Sequence, residues 1–337
     1  HIYKTFIIKK LQMKTILISG GGGYLGTYLT QVLLKNYNVI VFDEFYFKWL
    51  FKNKKKIQFN KRLKFIKKDI LSVSIDDFEG VDIVCDLNGI PNDPSSELNK
   101  EHTWKVNYKG RKKFAKIAKF CGVKRYIFNS TCAVYGFNKK VVNEKSITNP
   151  LSTYAKANLK AEKEIYKMKN KKFKVNILRN STLFGFSQNL RLDLVINIFV
   201  NSYILKNRIF VNGDGNQWRP FISLTDVGKI YKLLIKNDNS PSFVTNLVAF
   251  NSTIRNLAFK VIKYFGGTPD QIKFIANNKD NRNYRTESNN LNKYFKNLKF
   301  SNFNYELNQL IKGIKKYKIK SNTSTIRMKF YKKKFLK

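Results

Sequence analysis

The chain has 337 residues, enough for one large domain or two, with cores that need no disulfide staples. Its 65 Lys and Arg against 22 Asp and Glu leave a net charge of +43, but the lysines are spread over nearly every expected helix and loop with abundant Asn, Ile, Phe and Tyr, the bias of an AT-rich coding sequence rather than a surface built for nucleic acid. Three cysteines without a CxxC pair exclude a disulfide framework and a structural zinc site, and no apolar run reaches the roughly 18–20 residues that cross a bilayer, so a soluble protein of the reducing cytoplasm is expected.

Met13-Lys14-Thr15 opens the first apolar run as a start codon would, so residues 1–12 are expected to be either upstream translation or an extension outside the fold. Ile16 to Ser19 read as a strand that runs into glycines at 20, 23 and 26 and then an amphipathic helix pattern containing Tyr24 and Leu25. Gly20, Gly23 and Gly26 have no Cβ to block a tight turn, and the N–H groups opening the helix attract an anion, so the stretch reads as a cradle for a dinucleotide pyrophosphate. About 20 residues on, the strand 38–43 ends in Asp43, where a carboxylate binds the ribose hydroxyls of the adenosine half. Asp43 and Glu44 would repel a 2′-phosphate, and no arginine adjoins them, so NAD is expected rather than its phosphorylated form.

Further strands are expected at 63–66, 81–87, 125–128 and 173–178, alternating with helices at 101–121 and 152–169. The alternation predicts an α/β fold, a Rossmann-type doubly wound parallel sheet with the cofactor at the carboxyl ends of its strands. Beyond residue 180 it loosens into helices at 192–206, 226–236 and 253–265 with short strands between. The expected division is a cofactor domain over 13–180 and a smaller, interleaved α/β substrate lobe over 181–320, with 321–337 as a terminal extension. The basic clusters at 52–56 and 327–337 read as solvated.

Asn129-Ser130-Thr131-Cys132-Ala133-Val134-Tyr135-Gly136 follows the fifth strand, and Tyr154 opens the next helix on the same side of the sheet. With these residues the chain resembles the extended short-chain dehydrogenase/reductase family, particularly its nucleotide-sugar epimerases and dehydratases. The resemblance covers about residues 14–300. It rests on the glycine motif, Asp43, Asp69-Ile70, Leu87-Asn88-Gly89, Val106-Asn107-Tyr108-Lys109-Gly110, Val134-Tyr135-Gly136, Tyr154 and Arg219-Pro220-Phe221-Ile222-Ser223.

The resemblance implies that Tyr154 is the acid/base on a sugar hydroxyl, with Thr131 sharing its hydrogen bond and NAD as oxidant. It adds Asp69, Ile70, Leu87, Asn88, Gly89, Asn107, Asn129 and Asn158 to the cofactor site. It assigns the nucleotide sugar to Arg219 and Arg282 as diphosphate clamps, to the helix start at Asp193 and Leu194, to Phe210 at the base, and to Thr182 and Asn92 along the cleft. A homodimer through the helices 101–121 and 152–169 is likewise implied.

One departure bears on the chemistry. The family's lysine four residues after the tyrosine, which bonds the nicotinamide ribose and lowers the tyrosine's pKa, corresponds to Asn158. Lys156 projects roughly 200° away around the helix and is no substitute. A lysine from elsewhere, a tyrosine working at raised pKa, or loss of the redox step would each accommodate Asn158. Cys132 and Ala133 stand where related 4,6-dehydratases carry an Asp-Glu pair, which disfavours dehydration. The expected activity is therefore NAD-dependent epimerisation of a nucleotide-diphosphate sugar, like that of UDP-glucose 4-epimerase. The alternatives are a nucleotide-sugar reductase, dehydrogenase or dehydratase, and a non-catalytic protein binding NAD or sugar nucleotides. With His1 and His102 the only histidines, no metal is expected.

Overall fold

A computed structural model describes residues 13–47, 60–276 and 282–336; the extension 1–12 and the basic cluster 52–56 lie outside these. The first half runs β1 (Thr15–Ser19), α1 (Tyr24–Leu33), β2 (Asn38–Asp43), β3 (Leu63–Lys67), β4 (Ile83–Asp86), α2 (Asp93–Glu97) and α3 (Lys100–Trp104). A π-helical turn, Lys105–Gly110, then leads into α4 (Arg111–Phe120), followed by β5 (Arg125–Thr131), β6 (Val141–Val142), α5 (Thr153–Tyr166) and β7 (Lys174–Asn180). The second half comprises β8 (Thr182–Phe184), α6 (Val195–Lys206), β9 (Ile209–Asn212), β10 (Trp218–Ser223), α7 (Leu224–Lys236), β11 (Phe243–Leu247), β12 (Phe250–Thr253) and α8 (Ile254–Tyr264). It closes with β13 (Ile272–Ile275), β14 (Arg285–Thr286), α9 (Leu291–Tyr294), α10 (Phe303–Tyr317) and α11 (Arg327–Phe335).

Seven strands form a parallel sheet in the order β11-β7-β5-β4-β1-β2-β3, the doubly wound arrangement expected. Period-two alternation sorts its side chains. Ile16 and Ile18 face Leu29 of α1 and Ile230 of α7, while Leu17 faces the opposite layer with Phe114 of α4 and Ile165 of α5. Both faces are covered, so the middle of each central strand is mostly apolar, and polar residues such as Ser130 and Thr131 gather at the carboxyl end of β5. A smaller sheet, β12-β10-β8, and the pair β13-β9 build the second lobe beside the carboxyl ends of the main strands.

Three differences from the sequence expectation have local causes. The helix expected over 101–121 is broken by the π-helical turn, where Gly110 lies against Ile70. Strand β11 returns from the second half to the edge of the main sheet, because α7 packs on α1 and delivers the chain there. The tail, expected to be solvated, folds back as α11 with Arg327 and Tyr331 buried; its Phe330 and Tyr331 pack on Phe47, and Phe330 also on Tyr46.

Candidate functional site

The cradle forms where β1 ends. Gly20 has φ +72, and a Cβ there would lie 2.7 Å from the Asn88 backbone nitrogen; a Cβ on Gly26 would overlap the Gly20 carbonyl oxygen. Only glycine lets these segments approach so closely. Gly23 leads into α1 with no side chain capping the helix, which leaves its first N–H groups to an anion. Asp43, at the end of β2, accepts hydrogen bonds from Gly22 N (3.0 Å) and Phe45 N (2.6 Å). Burial pushes its carboxyl up to about 6 despite those bonds.

Leu87, Asn88 and Gly89 form the adjoining loop after β4 and line the same cavity. Asn107 is wholly buried and holds this loop from behind: its Oδ1 accepts from Ile90 N at 2.7 Å and its Nδ2 donates to Ile90 O at 3.1 Å. Tyr24 and Leu25 also line the cavity. The Tyr24 hydroxyl is committed to the second lobe, donating to Gly185 O and accepting from Asn197 Nδ2. Asp69 and Ile70 are not among the cavity-lining residues. Asp69 caps a short turn by accepting from Leu71 N, and Ile70 packs beneath Gly110.

Tyr154 sits in the first turn of α5, its helix capped by Ser152, and its side chain lies close to the Thr131 hydroxyl at the end of β5. Burial is the main influence on Tyr154 and raises its pKa, and Asp93 adds to this; the Thr131 hydroxyl and the charges of Arg111 and Arg191 work the other way. Asn158, one turn along α5, is 2% exposed. Its Nδ2 donates to Tyr154 O at 2.8 Å, and its Oδ1 accepts from Arg111 Nη1 at 2.7 Å. Asn129 turns its carbonyl to Arg111 Nη2 and its amide oxygen to Asn180.

Arg111 and Arg191 were not anticipated. Arg111 sits in the lysine-rich stretch at the start of α4, where nothing in the sequence separates one cation from the next. Arg191 pairs with Asp193 through two bonds of 2.9 and 3.1 Å. Burial disfavours the Asp193 charge, but Arg191 outweighs it and holds the carboxyl below its usual range. Asp193 also accepts from Asn92 Nδ2 at 3.3 Å and Arg327 N at 3.2 Å, so it organises the cleft wall. Leu194 precedes α6 without capping it, and that helix start faces the cavity.

At the second-lobe end, Arg219 donates through Nη1 to Trp218 O and to the Arg282 carbonyl, fixing the segment that carries Arg282. The Arg282 guanidinium forms an ion pair with Asp93, whose carboxylate also takes the Ser152 hydroxyl. Phe210 and Thr182 both line the cavity. So do Asn180 and Ser181, which sequence reasoning passed over. Both are more than nine-tenths buried, yet Asn180 Oδ1 and Ser181 Oγ have no hydrogen-bond partner. Such orphaned atoms next to Thr131 and Thr182 are what a polyhydroxyl ligand would satisfy.

The glycine cradle, Asp43, Thr131, Tyr154, Asn158, Arg191, Arg219 and Arg282 line one cavity of about 1580 Å³. A single drug-sized ligand occupies roughly 300–1,000 Å³, so there is room for a dinucleotide and a second nucleotide-sized molecule end to end.

The sequence model of the NAD dependent epimerase/dehydratase family matches residues 16–247. An uncharacterized UDP-glucose epimerase of Bacillus subtilis is 31% identical over 224 residues, 64% of this chain and 70% of that protein. A putative UDP-glucose 4-epimerase of Methanocaldococcus jannaschii is 28% identical over 258 residues, 74% of this chain and 81% of its own. Among solved structures, UDP-N-acetylglucosamine 4-epimerase from Methanobrevibacter ruminantium superposes with a TM-score of 0.80 at 20% identity, covering 91% of this chain and 99% of that one. That likeness bears on the fold.

Proposed function

The chain belongs to the NAD dependent epimerase/dehydratase family, and from that premise we propose that it epimerises a nucleotide-diphosphate sugar at C4, as a UDP-glucose 4-epimerase does. The juxtaposed Tyr154 and Thr131 side chains carry the proposal, because they stand where the glycine cradle and the second lobe share one cavity.

The residues present fit NAD. The Gly20 and Gly26 positions leave a backbone cradle that a Cβ would fill, the α1 N-terminus suits a pyrophosphate, and the Asp43 carboxylate suits ribose hydroxyls. When bound there, NAD supplies reversible oxidation of the sugar carbon. Tyr154 Oη takes the proton of the sugar hydroxyl and returns it, while the Thr131 hydroxyl bridges the two oxygens. Cys132 supports epimerisation over dehydration. Its thiol donates to Arg179 O at 3.1 Å, and burial pushes it up to about 12, so it cannot protonate a leaving hydroxyl; Ala133 has no proton to give.

Asn180, Ser181 and Thr182 would contact the sugar, Phe210 the base, and Arg219 and Arg282 the diphosphate, the last by exchanging its Asp93 partner for phosphate oxygens. The proton shuttle needs no net cofactor change. Incubation with NAD and UDP-glucose should therefore yield the 4-epimer by NMR without accumulation of reduced nicotinamide. Stoichiometric reduction would instead identify a dehydrogenase, and no conversion of any UDP- or dTDP-sugar would overturn the proposal.

A reducing, cytoplasmic setting fits the free thiols of Cys85 and Cys132. No helix among the described residues is long and apolar enough to cross a membrane. Homodimerisation through α4 and α5 would bring together exposed Lys116, Lys156, Lys160 and Lys163, so it should strengthen with salt. Sedimentation that shows a monomer at both low and high salt would exclude it.

A further inference from the structure

Among the described residues, no lysine lines the cavity; its cations are arginines. Lys156 and Lys160 are solvent-exposed, and Lys160 pairs weakly with Glu164. One arginine bonds Asn158, the residue that stands where related chains carry the lysine. Arg111 is 1% exposed. Its Nε donates to Asp86 Oδ2 at 2.9 Å, its Nη2 to the carbonyls of Asp86 and Asn129, and its Nη1 to Asn158 Oδ1 at 2.7 Å. The guanidinium also stacks on Phe128 at 3.7 Å.

We propose that Arg111 is a positioning residue for the acid/base step: by holding the Asn158 amide oxygen it turns the amide nitrogen towards the cofactor ribose, and it sets a fixed positive charge behind the Tyr154 turn of α5. The assignment rests on the epimerase reading given above. An amide can present either end, and a bond from a guanidinium, which only donates, selects the oxygen and leaves the NH₂ for an acceptor. That NH₂ already spends one proton on Tyr154 O, which ties Arg111, Asn158 and Tyr154 into one chain. Taking an Arg–Asp pair out of water is costly and seldom improves stability over an apolar core. Arg111 and Asp86 are both buried, so stability alone does not account for a cation at the cavity wall. A positive charge near a tyrosine favours the ionised form, the same electrostatic direction in which Arg111 acts on Tyr154. The lysine's two tasks, contact with ribose and a nearby charge, are thus divided between Asn158 and Arg111.

The decisive comparison uses the full-length protein with Arg111→Met, with Arg111→Met/Asp86→Asn, which leaves no orphaned carboxylate should the single variant misfold, and with the exchange Arg111→Thr/Asn158→Lys. Loss of Arg111 should move the rising limb of the kcat–pH profile up by about one unit and lower kcat about tenfold at neutral pH. The exchange should restore the limb, and Asn158→Lys alone should bring no gain, because it sets two cations together. An unmoved limb in folded variants overturns the proposal and reduces Arg111 to a structural staple.

If the wild type converts no sugar nucleotide, the functional reading fails, and NAD affinity without sugar still tests Arg111. Arg111→Met and Asn158→Ala should each weaken NAD binding, with the double variant no weaker than the worse single one. Additive or absent effects would overturn the proposal.

Discussion

At the scale of single residues, the secure positions are those where backbone or proton geometry admits one side chain. Tyr154→Phe removes the proton carrier and keeps the ring, so kcat should fall about 10²–10⁴-fold with NAD affinity unchanged; equal losses in both would argue that Tyr154 only binds. Gly26→Ala places a methyl on the Gly20 carbonyl, which forces the cradle open. Overpacking of this kind costs about 1–3 kcal/mol, and calorimetry of the variant should show it together with lost NAD binding. Asp43, raised to about 6 by burial, is ionised at neutral pH and protonated below that value. Its raised pKa means that the folded chain prefers the protonated form. NAD affinity should therefore weaken as the pH falls from 7 to 5, while the cofactor-free protein gains stability over the same interval. A flat affinity profile would show that Asp43 does not hold the ribose. The glycines and Asp43 were expected from their spacing after the first strand, and Thr131 and Tyr154 were singled out by resemblance. Arg111 and Arg191 were not, because one cation among many acquires meaning only from what it touches.

At the scale of elements, the tail helix α11 differs most from what composition suggested. Arg327 stacks on Phe47 at 3.6 Å and donates to Asn189 Oδ1 at 2.9 Å, and Asn189 in turn donates to Gly22 O at 2.6 Å. The tail is thereby joined to the glycine loop. Burial, reinforced by Arg191, lowers the Arg327 pKa to about 9, so at neutral pH its charge works against folding. An anionic pyrophosphate would relieve that repulsion. Arg327→Met should accordingly leave the cofactor-free Tm unchanged or higher while NAD binding weakens; a lower Tm with intact binding would mark a structural role. α10 also went unread, although Asn302 at its N-cap and Leu307, Leu310 and Ile314 carry an ordinary amphipathic signal.

At the scale of the whole molecule, a net charge of +43 sets unpaired lysines against one another over most of the surface. Added salt should raise Tm progressively by screening, and a Tm indifferent to salt would mean that the charges are too dispersed to matter. The doubly wound sheet followed from the sequence, since strand runs, helical periodicity and the glycine turn each depend on near neighbours and agree with one another. The cofactor cradle was likewise expected from the spacing of its glycines, while the roles expected of Tyr154 and Thr131 and the missing lysine at Asn158 came from resemblance to a family. Only the tertiary structure decided that β11 joins the main sheet, that Asp93 and Asp193 hold arginines at the cleft, and that Arg111 stands behind Asn158. These contacts join residues far apart in the chain: 25 positions separate Asp86 from Arg111, and 47 separate Arg111 from Asn158. No periodicity or motif carries such distances; the packing of α4 and α5 on one face of the sheet brings the three together.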